Sequence, residues 1–426
     1  MRVTFDNYAS VELDSLPIND SWDGRGVHED LMHRIHAYPA KFPAFITTKA
    51  IQYAESHGIT VNTVADIFCG CGTVAYESVK AKRHFWGCDI NPVATLIART
   101  KSRHYNSEMI SYYFAAILES FALQEYDEKD CISNNDRVKY WFFQKQIEDL
   151  SKLKHAIEAS VRDEIYLDFF LCAFSNILKS CSRWLTKSIK PQVDPEKKPN
   201  DVLNAFCTQV RMMQTANDEN EIEVSHAVIQ TANCLLHTID EPFVDLLVTS
   251  PPYVTSYEYA DLHQLSTLWL GFTDDYRTLR DGTIGSLHGL NCFSEHIKHL
   301  NKTGQDIVLK LYTVNKSKCR SVSQYYMDMQ NATKKVYEMI RPGGGALFVI
   351  GNTEYKGVKI DNARHLIESL LIEGFDEVDV DRRKISNKIL TPYRDKMGKF
   401  TTDNNSRKVY SEEFIVFAKK PIWESN

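Results

Sequence analysis

No run of this 426-residue chain approaches the roughly 18 consecutive apolar residues that a membrane span requires. The first residues, Met1-Arg2-Val3-Thr4-Phe5-Asp6, lack the charged start and apolar stretch of a secretory signal. A soluble, cytoplasmic protein without a membrane partner is expected. The ten cysteines are scattered, and several lie in apolar runs such as Phe170-Leu171-Cys172-Ala173-Phe174, which reads as buried thiols rather than a disulfide framework. Cys69 and Cys71 are the only close pair, and no second pair or histidine cluster follows at ligand spacing, so no metal site is expected. Repeats and low-complexity tracts are missing, and so is an excess of positive charge. The formal net charge of -6 excludes a uniformly basic nucleic-acid binder but leaves room for a local positive surface.

What remains is an ordinary globular composition, 43% hydrophobic and 25% charged, in a chain longer than the usual single domain. A run of apolar and β-branched residues from Val61 to Phe68 reads as a buried strand ending in Cys69-Gly70-Cys71-Gly72-Thr73 before a helix-like stretch. A second strand, Phe85 to Cys88, stops at Asp89, and Pro92 suits the first turn of another helix. Beyond about His104 the pattern becomes helical, with segments Ser107 to Leu123, Val138 to Ala159 and Glu164 to Lys187, then an exposed loop rich in proline and lysine from Pro191 to Pro199. Strand character returns at Phe243 to Val248, Ala346 to Ile350, Phe375 to Val380 and Glu413 to Ala418, with a helix from Asn362 to Glu373. An α/β sheet interrupted by a helical block and completed after it is expected. The boundaries fall at 1–103 and 236–426 for the sheet domain and 104–235 for the insertion.

Two turns carry the chemistry. A glycine turn at the carboxyl end of the first strand lets the backbone approach a ligand, because Gly70 and Gly72 have no Cβ to obstruct it. Asp89, at the end of the second strand, is placed either to accept from two ribose hydroxyls of a nucleoside cofactor or to cap a helix. Ala75 stands where a dinucleotide fingerprint would have its third glycine, which disfavours NAD, and spacing alone names no cofactor. The second turn, Thr249-Ser250-Pro251-Pro252-Tyr253, follows a strand directly. Its two prolines fix φ and remove two amide donors, leaving a rigid loop of acceptors. Such acceptors suit an amine: the Ser250 hydroxyl and the Pro251 carbonyl can hold the exocyclic amino group of cytosine or adenine, and Tyr253 can stack on the ring. A base inside a duplex cannot reach a buried cofactor, so it must be flipped out and held between apolar surfaces. A structural proline turn with a packed tyrosine is the bland alternative, weakened by the glycine turn upstream.

These residues resemble the DNA amino-methyltransferases, which share a Phe-x-Gly-x-Gly cofactor loop and an (Asp/Asn/Ser)-Pro-Pro-(Tyr/Phe) turn. A third family element looks like His36-Ala37-Tyr38-Pro39-Ala40-Lys41-Phe42-Pro43, so that the resemblance spans about residues 28 to 100 and 240 to 420. It implies a Rossmann-like seven-stranded methyltransferase sheet, S-adenosyl-L-methionine as cofactor and double-stranded DNA as partner, with a restriction endonuclease as a candidate companion. Carried over by position, Phe68, Gly70, Gly72 and Thr73 line the cofactor, Asp66 faces its methionine amine, Asp89 holds the ribose, and Lys41, Phe42 and Pro43 close the pocket. Ser250, Pro251, Pro252 and Tyr253 hold the target amine and base. Serine in the first position implies N4 of cytosine. The order of the two halves, loop first with a helical block between, instead resembles a group dominated by N6-adenine enzymes, in which that block recognises the target sequence.

Phosphate contacts are sought in two basic stretches: Lys179 to Lys198, with Arg183, Lys187, Lys190 and Lys197, and Arg382-Arg383-Lys384 with Lys388, Arg394, Lys396 and Lys399. Tyr140-Trp141-Phe142-Phe143 reads as core packing rather than a base-stacking box. Rival readings are an RNA or protein-amide methyltransferase, a non-catalytic DNA-recognition subunit, and an oxidoreductase, of which the last leaves the proline turn unexplained.

Overall fold

The computed structural model describes residues 1–123, 125, 131–223, 226–254, 259–287, 293–385, 393–394, 400–401, 403, 407–408 and 411–422. The amino-terminal segment supplies a two-residue strand, β1 (Arg2–Val3), and a helix, α1 (Ala44–Ser56), which starts immediately after Pro43. The expected strand–turn–helix units follow as β2 (Thr63–Asp66), α2 (Thr73–Lys80), β3 (His84–Asp89) and α3 (Pro92–Lys101). Pro92 occupies the first helical turn, where its missing N–H has no intrahelical partner to lose, and Asn91 caps the helix by accepting from Val93 N.

Five helices come next: α4 (Ser107–Leu123), α5 (Asp136–Trp141), α6 (Gln144–Ser160), α7 (Glu164–Ile177) and α8 (Val202–Asp218). The expected helix from Val138 to Ala159 is broken at Phe142-Phe143, both in extended conformation. Consecutive residues of a helix point about 100° apart, and here Trp141 and Phe142 both enter the core, Trp141 stacking on Trp184 and Phe142 edge-on to Trp269. Tyr140 and Phe143 remain about half exposed, so the core-packing reading holds for the inner pair alone. The helix expected to reach Lys187 ends at Ile177, where the chain folds back to bury Trp184.

The sheet resumes with β4 (Ala227–Thr231), which pairs with β3 from Phe85↔Ala227 onward, so the sheet takes up again ahead of the boundary expected at 236. Then come β5 (Val244–Thr249), α9 (Tyr259–Leu262), α10 (Gln264–Trp269), α11 (Phe293–His299), α12 (Lys302–Val314) and the long α13 (Lys316–Met339), which the sequence reading did not anticipate. Strand β6 (Ile340–Ile350) absorbs Pro342 to Gly345, expected to precede it. A hairpin, β7 (Thr353–Tyr355) with β8 (Val358–Ile360), leads to α14 (Asn362–Glu373), β9 (Glu377–Lys384), the short β10 (Tyr393–Arg394), β11 (Phe400–Thr401) and β12 (Arg407–Lys408), and the closing β13 (Glu412–Lys419).

The main sheet runs β1-β9-β13-β6-β5-β2-β3-β4. From β6 through β4 its strands are parallel, while β13 lies antiparallel to both β6 and β9. Seven strands form the expected Rossmann-like sheet and β1 adds an eighth at the edge. Side chains alternate between two apolar layers, Val64, Leu246 and Leu347 on one side and Ala65, Leu247 and Ala346 on the other. The first layer continues without a break into Phe170, Phe174 and Trp141 of the helical block, so that block covers one face of the sheet. Arg99 of α3 pairs with Asp168 of α7 through two hydrogen bonds at this join. Among the described residues no helix is long and apolar enough to cross a membrane. The chain order reverses between β2 and β5, and parallel α/β sheets bind ligands at the carboxyl ends of strands at such a point.

Candidate active site

Both turns singled out in the sequence lie at this reversal. Asp66 ends β2 and is buried; its Oδ1 accepts from Phe68 N at 3.0 Å and from Thr249 Oγ1 at 2.5 Å, which ties the glycine turn to the end of β5. Burial raises its carboxyl to about 7, against the hydrogen bonds from Thr249 and Phe68 that pull it down. Gly70, at φ +48°, donates to Asp89 Oδ2 at 2.9 Å, and Asp89 Oδ1 accepts from Asn91 N at 2.8 Å. Gly72 caps α2 at φ +73°, and a Cβ there would stand 2.6 Å from Cα of Ala98. Both the left-handed backbone and the approach of α3 therefore require glycine.

This arrangement fits a polar nucleoside group. The Thr73 hydroxyl, in the first turn of α2, is buried and has no hydrogen-bond partner among the described residues. Each carboxylate oxygen of Asp89 accepts one amide and keeps acceptor capacity, with burial raising its pKa. Phe68 is half-buried against the second apolar layer.

The segment 36–43 reaches the glycine turn through Tyr38, whose ring lies 3.6–3.8 Å from where a Gly70 Cβ would be. Lys41 turns elsewhere, its ammonium donating to Glu29 Oε2 at 2.6 Å and the His33 carbonyl at 3.3 Å. Phe42 packs half-buried on the first layer, and Pro43 precedes α1. Asp30 holds the preceding stretch onto α2 by accepting from Tyr76 Oη (2.8 Å) and Lys80 Nζ (2.7 Å).

On the other side of the reversal, Ser250 Oγ donates to the Val349 carbonyl at 3.0 Å, so its lone pairs are left to accept. Pro251 is buried and Pro252 half-buried. The Tyr253 ring lies 3.4 Å from where a Gly351 Cβ would be, and its hydroxyl donates to Glu413 Oε2 at 3.2 Å. Burial, then the Glu413 charge, raises the Tyr253 phenol, so it stays protonated and donating. Glu413 Oε1 in turn accepts from Arg383 Nη1 at 2.5 Å in a pair buried on both sides.

Sequence reasoning missed Glu413 and Arg383 as site residues, since no local spacing joins them to the turn. It also missed His263. Asn91 Oδ1 is taken by Val93 N, so its Nδ2 faces His263 Nδ1 at 2.7 Å and donates to it. His263 is then neutral, with burial lowering its pKa to about 3, and its ring stacks on Tyr38 at 5.0 Å.

Five side chains of the two basic stretches are committed within the fold. Lys179 and Lys197 donate to backbone carbonyls of their own loop, and Arg183 to that of Tyr140. Lys187 and Lys190 are exposed. Arg382 pairs with Glu412 and Arg383 with Glu413. Lys388, Lys396 and Lys399 lie outside the described residues, as does the side chain of Arg394.

Residues 4–99 match the family described as DNA methylase, of the N6 and N4 amino type. A Type II methyltransferase of Kocuria varians, M.MvaI, is 24% identical over 431 residues, covering 93% of each chain. Among solved structures, the rRNA methyltransferase aviRa of Streptomyces viridochromogenes is 10% identical with a TM-score of 0.30, covering 93% of this chain and 92% of that one. An S-adenosylmethionine-dependent methyltransferase of Methanosarcina mazei is 9% identical with a TM-score of 0.30, covering 91% and 100%.

Proposed function

We propose, for a chain that belongs to the DNA amino-methyltransferase family, that it methylates N4 of cytosine in duplex DNA, with Thr249 to Tyr253 as the catalytic turn. Its cofactor is S-adenosylmethionine, which when bound supplies a methyl group on a sulfonium, open to in-line displacement. The observation that carries transfer to an exocyclic amine is the Ser250 hydroxyl: its proton is committed to the Val349 carbonyl, so it faces an incoming group as an acceptor, and the amine of cytosine or adenine is a donor. Cytosine is chosen because serine stands first in the turn.

Phe68, Gly70, Gly72 and Thr73 line the cofactor, Asp66 takes its amine and Asp89 its ribose, while Lys41, Phe42 and Pro43 close the pocket around it. The committed ammonium of Lys41 makes its part that of a strut to Glu29. Ser250 and the Pro251 carbonyl accept the two amino hydrogens and so fix the nitrogen lone pair. Pro251 and Pro252 keep those acceptors rigid. Tyr253 offers a ring face to the flipped base, held by Glu413 and Gly351. No side chain need take a proton beforehand, because the nitrogen loses it after methylation has made it cationic; catalysis is positioning and exclusion of water.

The helical block, α4 to α8, is assigned target recognition. It adjoins the segment after the turn, where Arg137 Nε (2.7 Å) and Trp141 Nε1 (2.9 Å) donate to Gln264 Oε1 and Ser175 donates to Ser266 at 2.8 Å. N6 of adenine is the second reading, favoured by the loop-first order of the halves. Work within a restriction–modification pair is the setting that the Type II relative's name points to.

Digestion of DNA to nucleosides after incubation with labelled S-adenosylmethionine, followed by mass spectrometry, separates these. Label in N4-methyldeoxycytidine is expected, label in N6-methyldeoxyadenosine selects the second reading, and label in RNA or protein alone rejects both.

A further inference from the structure

We infer that the exposed cations where α12 meets α13, with Lys356 of the β7–β8 hairpin, form a binding site for the DNA phosphate backbone beside the catalytic turn. This rests on the methyltransferase reading and adds a contact surface outside both basic stretches found in the sequence. Asn315 closes α12 and caps α13 by accepting from Lys318 N at 2.8 Å. Its Nδ2 donates to Tyr355 Oη at 3.0 Å, fastening the hairpin to the helix junction.

The cations are organised around two aromatic rings. Lys318 and Lys356 both hold their ammonium groups over Tyr355, at 5.9 and 5.8 Å from its centre, and Lys316 lies 5.4 Å from that of Tyr312. Arg320 follows Lys316 by one helical turn and is exposed on the same face. Lysines farther out are neutralised, Lys302 by Asp306 and Lys359 by Asp14 and Asp361. No ion pair among the described residues uses Lys316, Arg320 or Lys356, none of which is buried.

The site touches the turn from two directions. Lys318 Nζ donates to the carbonyl of Val254, the residue after Tyr253, at 3.3 Å. The hairpin leaves β6 just past Gly351, which packs on the Tyr253 ring. A base turned out to meet Tyr253 brings its flanking phosphates to this rim, and lysines are point-charge partners for phosphate. In a chain of net charge -6, such a local positive surface is what duplex binding needs.

The test is Lys316→Ala/Lys356→Ala in the full chain, compared with wild type for binding a fluorescent duplex of mixed sequence between about 50 and 200 mM salt. Two lost phosphate contacts make the slope of log affinity against log salt shallower by about 2, and weaken binding on the order of tenfold near 0.1 M salt. Cofactor binding by calorimetry and the melting temperature stay at wild-type values. An unchanged slope and affinity in the variant, beside a wild type that binds and methylates DNA, overturns this site alone. A wild type that neither binds nor methylates the duplex overturns the function and the site together.

Discussion

The two turns at the sheet's reversal are supported in opposite ways. The glycine turn is held from within about one strand–helix–strand unit: Asp66 accepts from Phe68 N two residues on, and Asp89 from Gly70, 19 positions earlier, and from Asn91, so two carboxylates and three amides build the loop. The proline turn is held from far away, Ser250 by Val349, 99 positions later, and Tyr253 by Glu413, 160 positions later. A loop whose amides are held by nearby carboxylates is fixed locally, as the proposed cofactor site needs, whereas a turn held by a β6 carbonyl and a β13 carboxylate is aimed by the packing of those strands. The Thr249–Asp66 hydrogen bond is the joint between them. Changes in the first region are therefore expected to show in cofactor affinity, and changes in the second in the rate of transfer.

The largest separation is predicted for Asp89→Ala. It removes the acceptor of two internal amides along with the proposed ribose partner, and charged hydrogen bonds are worth about 1.5–3 kcal/mol. Cofactor affinity by calorimetry should fall on the order of 10- to 100-fold. Transfer at saturating cofactor should fall much less.

Glu413→Gln comes next. It keeps an acceptor for Tyr253 but loses the charge that faces Arg383, so Tyr253 is held less firmly. A drop of about tenfold in turnover is expected, with cofactor affinity unchanged, consistent with the sensitivity of catalysis to misplacement. Tyr253→Phe removes the hydrogen bond that Glu413→Gln weakens, so adding Glu413→Gln to it should cost little more, as coupled residues are not additive. Full additivity would show that Glu413 serves only stability.

A smaller effect concerns pH. The Asp66 carboxyl is raised by burial from 3.8 to about 7 in the folded chain. The folded state then holds the proton more tightly than the unfolded state, so this group's contribution to stability is full below 3.8 and is lost as pH rises through about 7. Chemical denaturation of the cofactor-free protein across this window should show Asp66→Asn losing less stability than wild type with rising pH. Parallel pH dependences would remove Asp66 as the cause.

The smallest change is expected for Cys69→Ala. In-line transfer uses no thiol, and burial raises the Cys69 pKa well above its usual value, so turnover should stay within a few-fold of wild type.

The same contrast explains what could be read beforehand. The glycine turn, Asp89 and Pro92 fall within one strand–turn–helix–strand pattern that can be read along the chain, and helix α14 appears over Asn362 to Glu373 as periodicity implied. The strand order could not be read, because β13 enters between β6 and β9 only once the sheet assembles. Strand β4 was missed because its residues are mostly exposed at a sheet edge and carry no continuous apolar run. The long α13 was missed as a mostly polar helix whose buried face, with Tyr325, Tyr326 and Met329, shows only at helical spacing. Within the site, the resemblance points to Lys41, Phe42 and Pro43 of the segment 36–43, whereas it is Tyr38 that packs on the glycine turn and Lys41 pairs with Glu29. His263 and Glu413 have no local pattern to reveal them, and Arg383 stands out only within a basic stretch read as a phosphate contact, whereas it pairs with Glu413.

The division of labour between the turns is tested most directly by measuring cofactor binding and methyl transfer to DNA side by side on Tyr253→Ala protein. Cofactor affinity within about threefold of wild type, with transfer slowed on the order of 100-fold, is the predicted result. Cofactor affinity that collapses in step with transfer would contradict it and assign the proline turn to the cofactor instead.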